Sequence, residues 1–194
     1  MSNYWIDYPD MQSELESVRQ FMLDAISDAM PLVKEPLTEV IQSGGKMLRP
    51  AMVILGAKLG KYKSKRVIPI AACVELLHTA TLIHDDIIDE SKLRRGIETI
   101  HSKYSKEVAV LVGDYVFAKT FDILAGDYPA EMLKKLSYSI IKICEGELSQ
   151  YANRYSDALD LDQYIAIIAG KTAALFSMSL FAGAYEAKVS NLTQ

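Results

Sequence analysis

Residues 67–83 form a largely apolar run that ends in three carboxylates, Asp85, Asp86 and Asp89. Because the run is hydrophobic nearly all round, it predicts a helix that is surrounded by other helices. On such a helix Asp89 lies one turn from both Asp85 and Asp86, so the pattern places the three side chains on one face. Like charges at this spacing repel, and burying them unpaired is costly. The stretch therefore predicts a central helix whose acidic end either binds a hard cation such as Mg²⁺ or is a solvated terminus.

Apolar residues recur at helical spacing along the rest of the chain, and no alternation of period two supports a sheet. Asp160 followed by Gln163 resembles a helix-capping box. The predicted helices cover residues 11–30, 35–42, 49–59, 64–90, 108–124, 129–151 and 160–187. The sequence therefore predicts an all-α bundle that forms one domain over residues 1–194.

Composition excludes several classes of function. Half of the 194 residues are hydrophobic, as in a folded globular domain, and a net charge of −4 gives no sign of nucleic-acid binding. Cys73 and Cys144 lie in apolar helical contexts without CxxC spacing, so we expect both to be buried, reduced thiols of a cytoplasmic protein. The acidic, polar start does not resemble a secretory signal, and the uncharged segment 172–185 is too short to cross a bilayer, so no membrane span is expected.

A basic motif, Gly44-Gly45-Lys46-Met47-Leu48-Arg49-Pro50, precedes the predicted helix 49–59. The two glycines allow the backbone to approach a ligand closely, and Pro50 suits the start of a helix. Lys46 and Arg49 would lie beside that helix N-terminus, where anions are favoured. The motif thus indicates either an anion-binding loop or a loop with two solvated cations.

Three histidines have different contexts. His78 lies seven residues before Asp85 and therefore on the same helical face, so it is a candidate ligand contact as well as a candidate core residue. His84 occupies another face, which favours a structural role or a supporting role behind the residues that contact a ligand. His101 has no supporting context.

Asp157, Asp160 and Asp162 have the wrong spacing for a second DDxxD motif, and we interpret them as helix-capping and solvated.

Cations also follow the carboxylates and recur later in the chain. Arg94 and Arg95 suit a polyanion that is bridged by metal on one side and held by guanidinium groups on the other, although plain charge balance is an alternative. Gly170-Lys171-Thr172 is not a P-loop, because no glycine lies five residues before Gly170 and no strand precedes it. Its lysine and hydroxyl could still reach a phosphate inside the bundle.

Together these motifs resemble the trans-prenyltransferases, also called isoprenyl or polyprenyl diphosphate synthases. The match follows the family order from GGKMLRP through ELLHTATLIHDDIID, RRG, GD and EGELSQ to GKTAALF, over most of residues 37–176. The resemblance implies an isoprenoid-synthase-like helical bundle around a deep central cavity. It also implies condensation of isopentenyl diphosphate with an allylic diphosphate, in a protein that forms dimers.

The resemblance also implies roles for single residues. Asp85, Asp86 and Asp89 would bind the Mg²⁺ ions that hold the allylic diphosphate, and Arg94 would contact that diphosphate. Lys171, a candidate catalytic residue, and Thr172 would contact it near the forming cation. The expected isopentenyl diphosphate site comprises Lys46, Arg49, His78 and Arg95.

The family carries a second aspartate-rich motif beyond the Lys-Thr position, and these 194 residues do not contain one. We therefore expect a truncated synthase domain whose C-terminal helices are missing. A non-catalytic or regulatory subunit of a heteromeric synthase is an alternative. A metal-dependent phosphohydrolase built on His84 and Asp85 is disfavoured, because such a site needs a histidine from an earlier helix and none precedes His78.

Overall fold

The computed structural model describes residues 4–154 and 160–190. In these ranges the chain is helical apart from loops and one short hairpin. The elements are α1 (Pro9–Ala25), α2 (Pro31–Gln42), α3 (Leu48–Lys58), α4 (Ser64–Ile88), β1 (Leu93–Arg94), β2 (Ile97–Glu98), α5 (Ile100–Lys103), α6 (Lys106–Asp127), α7 (Ala130–Ala152), α8 (Leu161–Ile168), a π-helix (Ala169–Ala173) and α9 (Ala174–Glu186). The predicted all-α bundle is confirmed.

Helix α4 lies at the centre of the bundle. It packs against α1, α3, α6 and α9, and its side chains Ile70, Leu76 and Leu77 are almost completely buried. Each such side chain contributes about 1.5–3 kcal/mol when it leaves water. The prediction of a central helix surrounded by others is therefore confirmed, and α4 is fixed firmly enough to position the residues at its C-terminal end.

Helices α3 and α9 approach each other backbone to backbone. A Cβ atom built on Gly183 would lie only 1.9 Å from the carbonyl oxygen of Val53, so no larger residue fits at this crossing. The close contact brings the first turn of α3 to the start of α9. There the guanidinium of Arg49 lies 4.6 Å from the ring centre of Phe176.

The hairpin β1–β2 was not predicted. Its antiparallel strands pair Leu93 with Glu98 and Arg94 with Ile97, and each has two residues, too few for an alternating pattern to be visible. Arg95 and Gly96 form the turn with φ values of 52° and 84°, and two consecutive positive φ values are typical of a type I′ turn.

Two further expectations are corrected. Cys73 is buried as expected, but Cys144 is exposed on α7, so its prediction was wrong. The helical run Leu161–Glu186, which includes the uncharged segment 172–185, is continuous over 26 residues and, like Ser64–Ile88, is long and apolar enough to cross a membrane by length and composition. The most apolar window of Ser64–Ile88 is 72% buried inside the bundle, and that of Leu161–Glu186 is 28% buried. Two such helices do not by themselves establish a transmembrane segment.

Candidate functional site

A cavity of about 530 Å³ lies between the loop before α3, the middle of α4 and the β1–β2 turn. We call it the basic pocket. Its lining residues with charged or imidazole side chains are Lys46, Arg49, Glu75, His78 and Arg95. Four of these five residues were candidates from the sequence, where they lie in three separate motifs, and the fold brings them together.

Arg95 connects the hairpin to the glycine loop. Its guanidinium donates a hydrogen bond to the carbonyl oxygen of Gly44 and lies directly against Gly45. A Cβ atom on Gly45 would lie 2.7 Å from Nη1 of Arg95, closer than side chains normally approach. Glycine at position 45 therefore provides the space in which the Arg95 guanidinium lies.

Arg49 is half-buried on the first turn of α3. Its Nε atom is buried and has no hydrogen-bond partner in the part of the chain that the structure describes. Burial lowers the pKa of the guanidinium, and the charge of Glu75 opposes that effect. Since an arginine stays protonated even when its pKa falls, Arg49 is a fixed positive charge with donor capacity left for a ligand.

Glu75 and His78 lie one turn apart on α4 and form the inner wall of the basic pocket. Glu75 is 5% exposed, and burial raises the pKa of its carboxyl, while the charges of Arg95 and Arg49 oppose that rise. Burial lowers the pKa of His78 to about 3, and the neighbouring arginines lower it further in the same direction. His78 is therefore neutral at physiological pH. Sequence reasoning gave no role to Glu75, although an ionisable residue inside an apolar helix is a recognisable signal.

A second cavity of about 650 Å³ lies where the end of α4 faces α7, α8 and the π-helix. We call it the acidic pocket. Its charged and hydroxyl-bearing lining residues include Asp85, Asp89, Glu147, Arg154, Tyr164, Lys171 and Thr172. Glu147, Arg154 and Tyr164 had no predicted role, because nothing in the sequence places α7 and α8 beside the end of α4.

Lys171 enters the acidic pocket from the π-helix. Its ammonium group lies 2.8 Å from a carboxylate oxygen of Glu147 on α7. The π-helix is a widened turn within a helical run that the sequence predicted as α-helix throughout, and such one-turn widenings are frequent at functional sites. The widened turn thus coincides with Lys171 and Thr172, the two candidates from this segment.

The acidic pocket carries more negative charge than its cations balance. Burial raises the pKa of Asp85 to about 6, the charges of Glu147 and Asp89 add to the rise, and Lys171 opposes it. Asp85 and Asp89 supply oxygen donors from one wall, which suits Mg²⁺, an ion that commonly takes one or two carboxylates and leaves other positions to water or phosphate. Within residues 4–154 and 160–190, no three Asp, Glu, His or Cys side chains cluster closely enough to hold a metal unaided.

Asp86 points away from the acidic pocket. It is 6% exposed, and its Oδ1 accepts a hydrogen bond of 2.7 Å from Nε of Arg94, whose Nη2 lies 2.7 Å from the same oxygen as an ion pair. The expectation that all three carboxylates share one face is not met, because a step of one residue turns an α-helix by about 100°. Asp85 and Asp89, four residues apart, line the same cavity, whereas Asp86 and Arg94 line a separate small one.

The remaining sequence candidates, two histidines and two aspartates, line neither pocket or lie outside the described residues. The ring of His84 lies against Gly113, where an added Cβ atom would be 2.3 Å from the histidine Nε2. The same Nε2 lies 3.6 Å from Oδ1 of Asp114. The expected structural role of His84 agrees with this packing. Nε2 of His101 lies 2.8 Å from the carbonyl oxygen of Ser91. Asp160 forms the predicted capping box with Gln163, and Asp157 lies outside the described residues.

The chain resembles known proteins in sequence. A family model described as polyprenyl synthetase matches residues 30–194. An all-trans-nonaprenyl-diphosphate synthase (geranyl-diphosphate specific) of Rhodobacter capsulatus is 38% identical, over 86% of this chain and 51% of its own length. Heptaprenyl diphosphate synthase component 2 of Geobacillus stearothermophilus is 34% identical, over 93% of this chain and 56% of its own length. The chain thus spans about half the length of the curated relatives it matches.

Solved structures agree in fold. The crystal structure of geranylgeranyl pyrophosphate synthase from Lactobacillus brevis superposes with a TM-score of 0.92 at 31% identity, over 97% of this chain and 59% of the other. Polyprenyl synthase from Caulobacter crescentus, complexed with calcium and isoprenyl diphosphate, gives a TM-score of 0.89 at 33% identity, over 94% of this chain and 56% of the other. The chain belongs to the polyprenyl synthetase family.

Proposed function

We propose that the chain carries the two diphosphate sites of a prenyltransferase that condenses isopentenyl diphosphate with an allylic diphosphate. One observation carries the proposal: α4 forms a wall of both pockets, with His78 in the basic one and Asp85 in the acidic one. Seven helical residues separate them by about 10 Å along the axis. Two substrates bound at this distance would hold their reacting carbon atoms near the same stretch of α4.

The basic pocket is the proposed isopentenyl diphosphate site. Lys46, Arg49 and Arg95 present ammonium and guanidinium donors to one space, and charge-assisted hydrogen bonds to phosphate are strong. His78, being neutral, adds one hydrogen bond rather than a fourth charge. This substrate keeps its diphosphate throughout the reaction, so the site needs fixed cations and no metal.

The acidic pocket is the proposed allylic diphosphate site. Asp85 and Asp89 would hold Mg²⁺, and Lys171 and Thr172 would contact the same diphosphate. When bound, the metal supplies positive charge that stabilises the departing pyrophosphate. Asp86 Oδ1 binds Arg94 in the structure, so this pair would have to separate before that oxygen contacts a metal.

The chemistry explains why the two pockets differ. Breaking the allylic C–O bond releases pyrophosphate and leaves an allylic carbocation, and the double bond of isopentenyl diphosphate attacks that cation. Loss of a proton then completes a product that is one C5 unit longer. The apolar side chains of the surrounding helices protect the carbocation from water.

A condensation assay tests the proposal directly. The purified protein, incubated with radiolabelled isopentenyl diphosphate, geranyl diphosphate and Mg²⁺, is expected to transfer label into longer prenyl diphosphates. Asp85→Asn should abolish transfer, because it removes a charge from the proposed metal site. Asp162→Asn is the matched control, since Asp162 is an exposed carboxylate that lines neither pocket. Full turnover by Asp85→Asn would contradict the assignment.

A subunit role in a heteromeric synthase is the second candidate. Relatives from Geobacillus and Bacillus bear the name heptaprenyl diphosphate synthase component 2, which implies a further component in those enzymes. In that case the purified chain would bind both diphosphates without turnover, and a second polypeptide would restore it. Light scattering of the purified protein distinguishes the expected homodimer from a monomer that awaits a different partner.

A further inference from the structure

The first described residues, Tyr4 and Trp5, precede α1 and lie outside the region 30–194 that the family model matches. Tyr4 nevertheless lines the basic pocket. Trp5 is the single tryptophan of the chain and packs, partly buried, against the hydrophobic core. We call these two residues the aromatic strap.

The aromatic strap contacts the glycine loop at Lys46 in two ways. The indole Nε1 of Trp5 donates a hydrogen bond of 2.7 Å to the backbone carbonyl oxygen of Lys46. The ammonium group of Lys46 lies 5.4 Å from the ring centre of Tyr4. The rings of Tyr4 and Trp5 are themselves in edge contact, with centres 5.2 Å apart. The strap therefore holds both the backbone and the side chain of Lys46.

The loop needs such support because its backbone is in an unfavourable conformation. Met47, the residue after Lys46, has a φ of 50°, a left-handed value that non-glycine residues rarely adopt. Arg95 holds the other end of the loop through the carbonyl oxygen of Gly44. The Trp5 hydrogen bond therefore fixes the carbonyl that directly precedes the strained residue, and with it the direction of the Lys46 side chain.

We propose that Trp5 is a positioning residue for isopentenyl diphosphate, acting through the Lys46 carbonyl, and that Tyr4 holds the Lys46 ammonium group until the diphosphate takes it. The proposal rests on the proposed function of the basic pocket. A cation over an exposed aromatic ring is held weakly, whereas an ammonium–phosphate hydrogen bond is strong, so the diphosphate displaces the ring. Because the Tyr4 ring touches the Trp5 ring, this displacement changes the surroundings of the indole.

The emission of Trp5 measures this event without any need for turnover. Titration of the wild-type protein with isopentenyl diphosphate, without Mg²⁺, is expected to change tryptophan emission in a saturable way. Calorimetry gives the affinity independently. Trp5→Phe keeps an aromatic ring but loses the donor, and should weaken binding about fivefold, the equivalent of about 1 kcal/mol for one hydrogen bond. Tyr8→Phe, a change to the other ring in edge contact with Trp5, should leave the affinity unchanged.

The outcomes separate the two proposals. If calorimetry detects no isopentenyl diphosphate binding to the wild type, the proposed use of the basic pocket fails and the strap fails with it. If the wild type binds but Trp5→Phe, with an unchanged melting temperature, binds equally well, only the strap is wrong. If Trp5→Phe is unfolded, the wild-type titration decides: binding by calorimetry with constant Trp5 emission overturns the strap, and a saturable emission change supports it.

Discussion

His78 is predicted to make the stability of this protein depend on pH in a defined direction. Burial, reinforced by Arg49 and Arg95, lowers its pKa from 6.5 to about 3 in the folded chain. The folded state therefore keeps His78 neutral at a pH where the unfolded chain protonates it. Its contribution to stability is complete above pH 6.5 and is lost progressively as the pH falls towards 3.

The size of the effect follows from these two pKa values. At about pH 5 the unfolded chain gains roughly 2 kcal/mol from protonating the histidine, and at about pH 7 it gains almost nothing. Other groups titrate in the same range, and Asp85, whose pKa is raised to about 6, acts in the opposite direction. The comparison must therefore be made between the wild type and a variant in which only position 78 differs.

The assay is urea unfolding of the wild type and His78→Gln, followed by circular dichroism at about pH 7 and about pH 5. Glutamine keeps a polar group of similar reach and cannot be protonated. Relative to the variant, the wild type should lose about 2 kcal/mol of unfolding free energy between the two pH values. The difference in unfolding free energy between the wild type and the variant could instead change by less than about 0.5 kcal/mol between the two pH values. That result would show that His78 titrates normally in the folded protein and would refute its burial among arginines.

Three further substitutions, with one control, test the helix packing, the basic pocket and a partly exposed ion pair. Gly183→Ala should destabilise the fold by about 1–3 kcal/mol in urea unfolding, because its Cβ atom would clash with the Val53 carbonyl. Gly126→Ala is the control, because its Cβ atom would meet no atom within 4 Å and the protein should be equally stable or more stable. Equal losses of stability in Gly183→Ala and Gly126→Ala would contradict the close crossing of α3 and α9. Gly45→Ala should displace Arg95 and weaken isopentenyl diphosphate binding about tenfold by calorimetry, with little change in melting temperature. Unchanged affinity would show that the space beside Gly45 does not position Arg95 for binding. Arg66→Ala should cost about 1–2 kcal/mol, because it removes a partly exposed pair with Glu186 and an exposed hydrogen bond to the Asp127 carbonyl oxygen. A loss well above about 2 kcal/mol would contradict this.

The helices and the central position of α4 could be predicted because they depend on apolar periodicity, which is a local property of the chain. The Asp85–Asp89 pair could be predicted because its spacing on one helix fixes a shared face. His78 lies seven residues before Asp85 on the same helix, but the structure places these two residues in different pockets. The partner of Asp86 could not be predicted, because Arg94 reaches Asp86 from a two-residue strand with no visible sequence pattern.

Contacts between distant elements account for the rest. Glu147 contacts Lys171 because α7 packs against the π-helix. The two residues are 24 positions apart, and no local sequence pattern predicts contact at that distance along the chain. The place of Glu75 in the basic pocket could not be predicted, because it depends on Arg49 and Arg95 approaching the same turn of α4. The contact of Trp5 with Lys46 spans 41 residues and is equally invisible to local patterns.

The central claim is that α4 separates two diphosphate sites of different kinds, one built on fixed cations and one that requires a metal. Calorimetric titration of the protein with isopentenyl diphosphate and with geranyl diphosphate, each with Mg²⁺ and with a chelator, tests it most directly. The structure predicts that isopentenyl diphosphate binds equally well in both conditions and that geranyl diphosphate binds only with Mg²⁺. Loss of isopentenyl diphosphate binding on chelation, or metal-independent binding of geranyl diphosphate, would contradict the account.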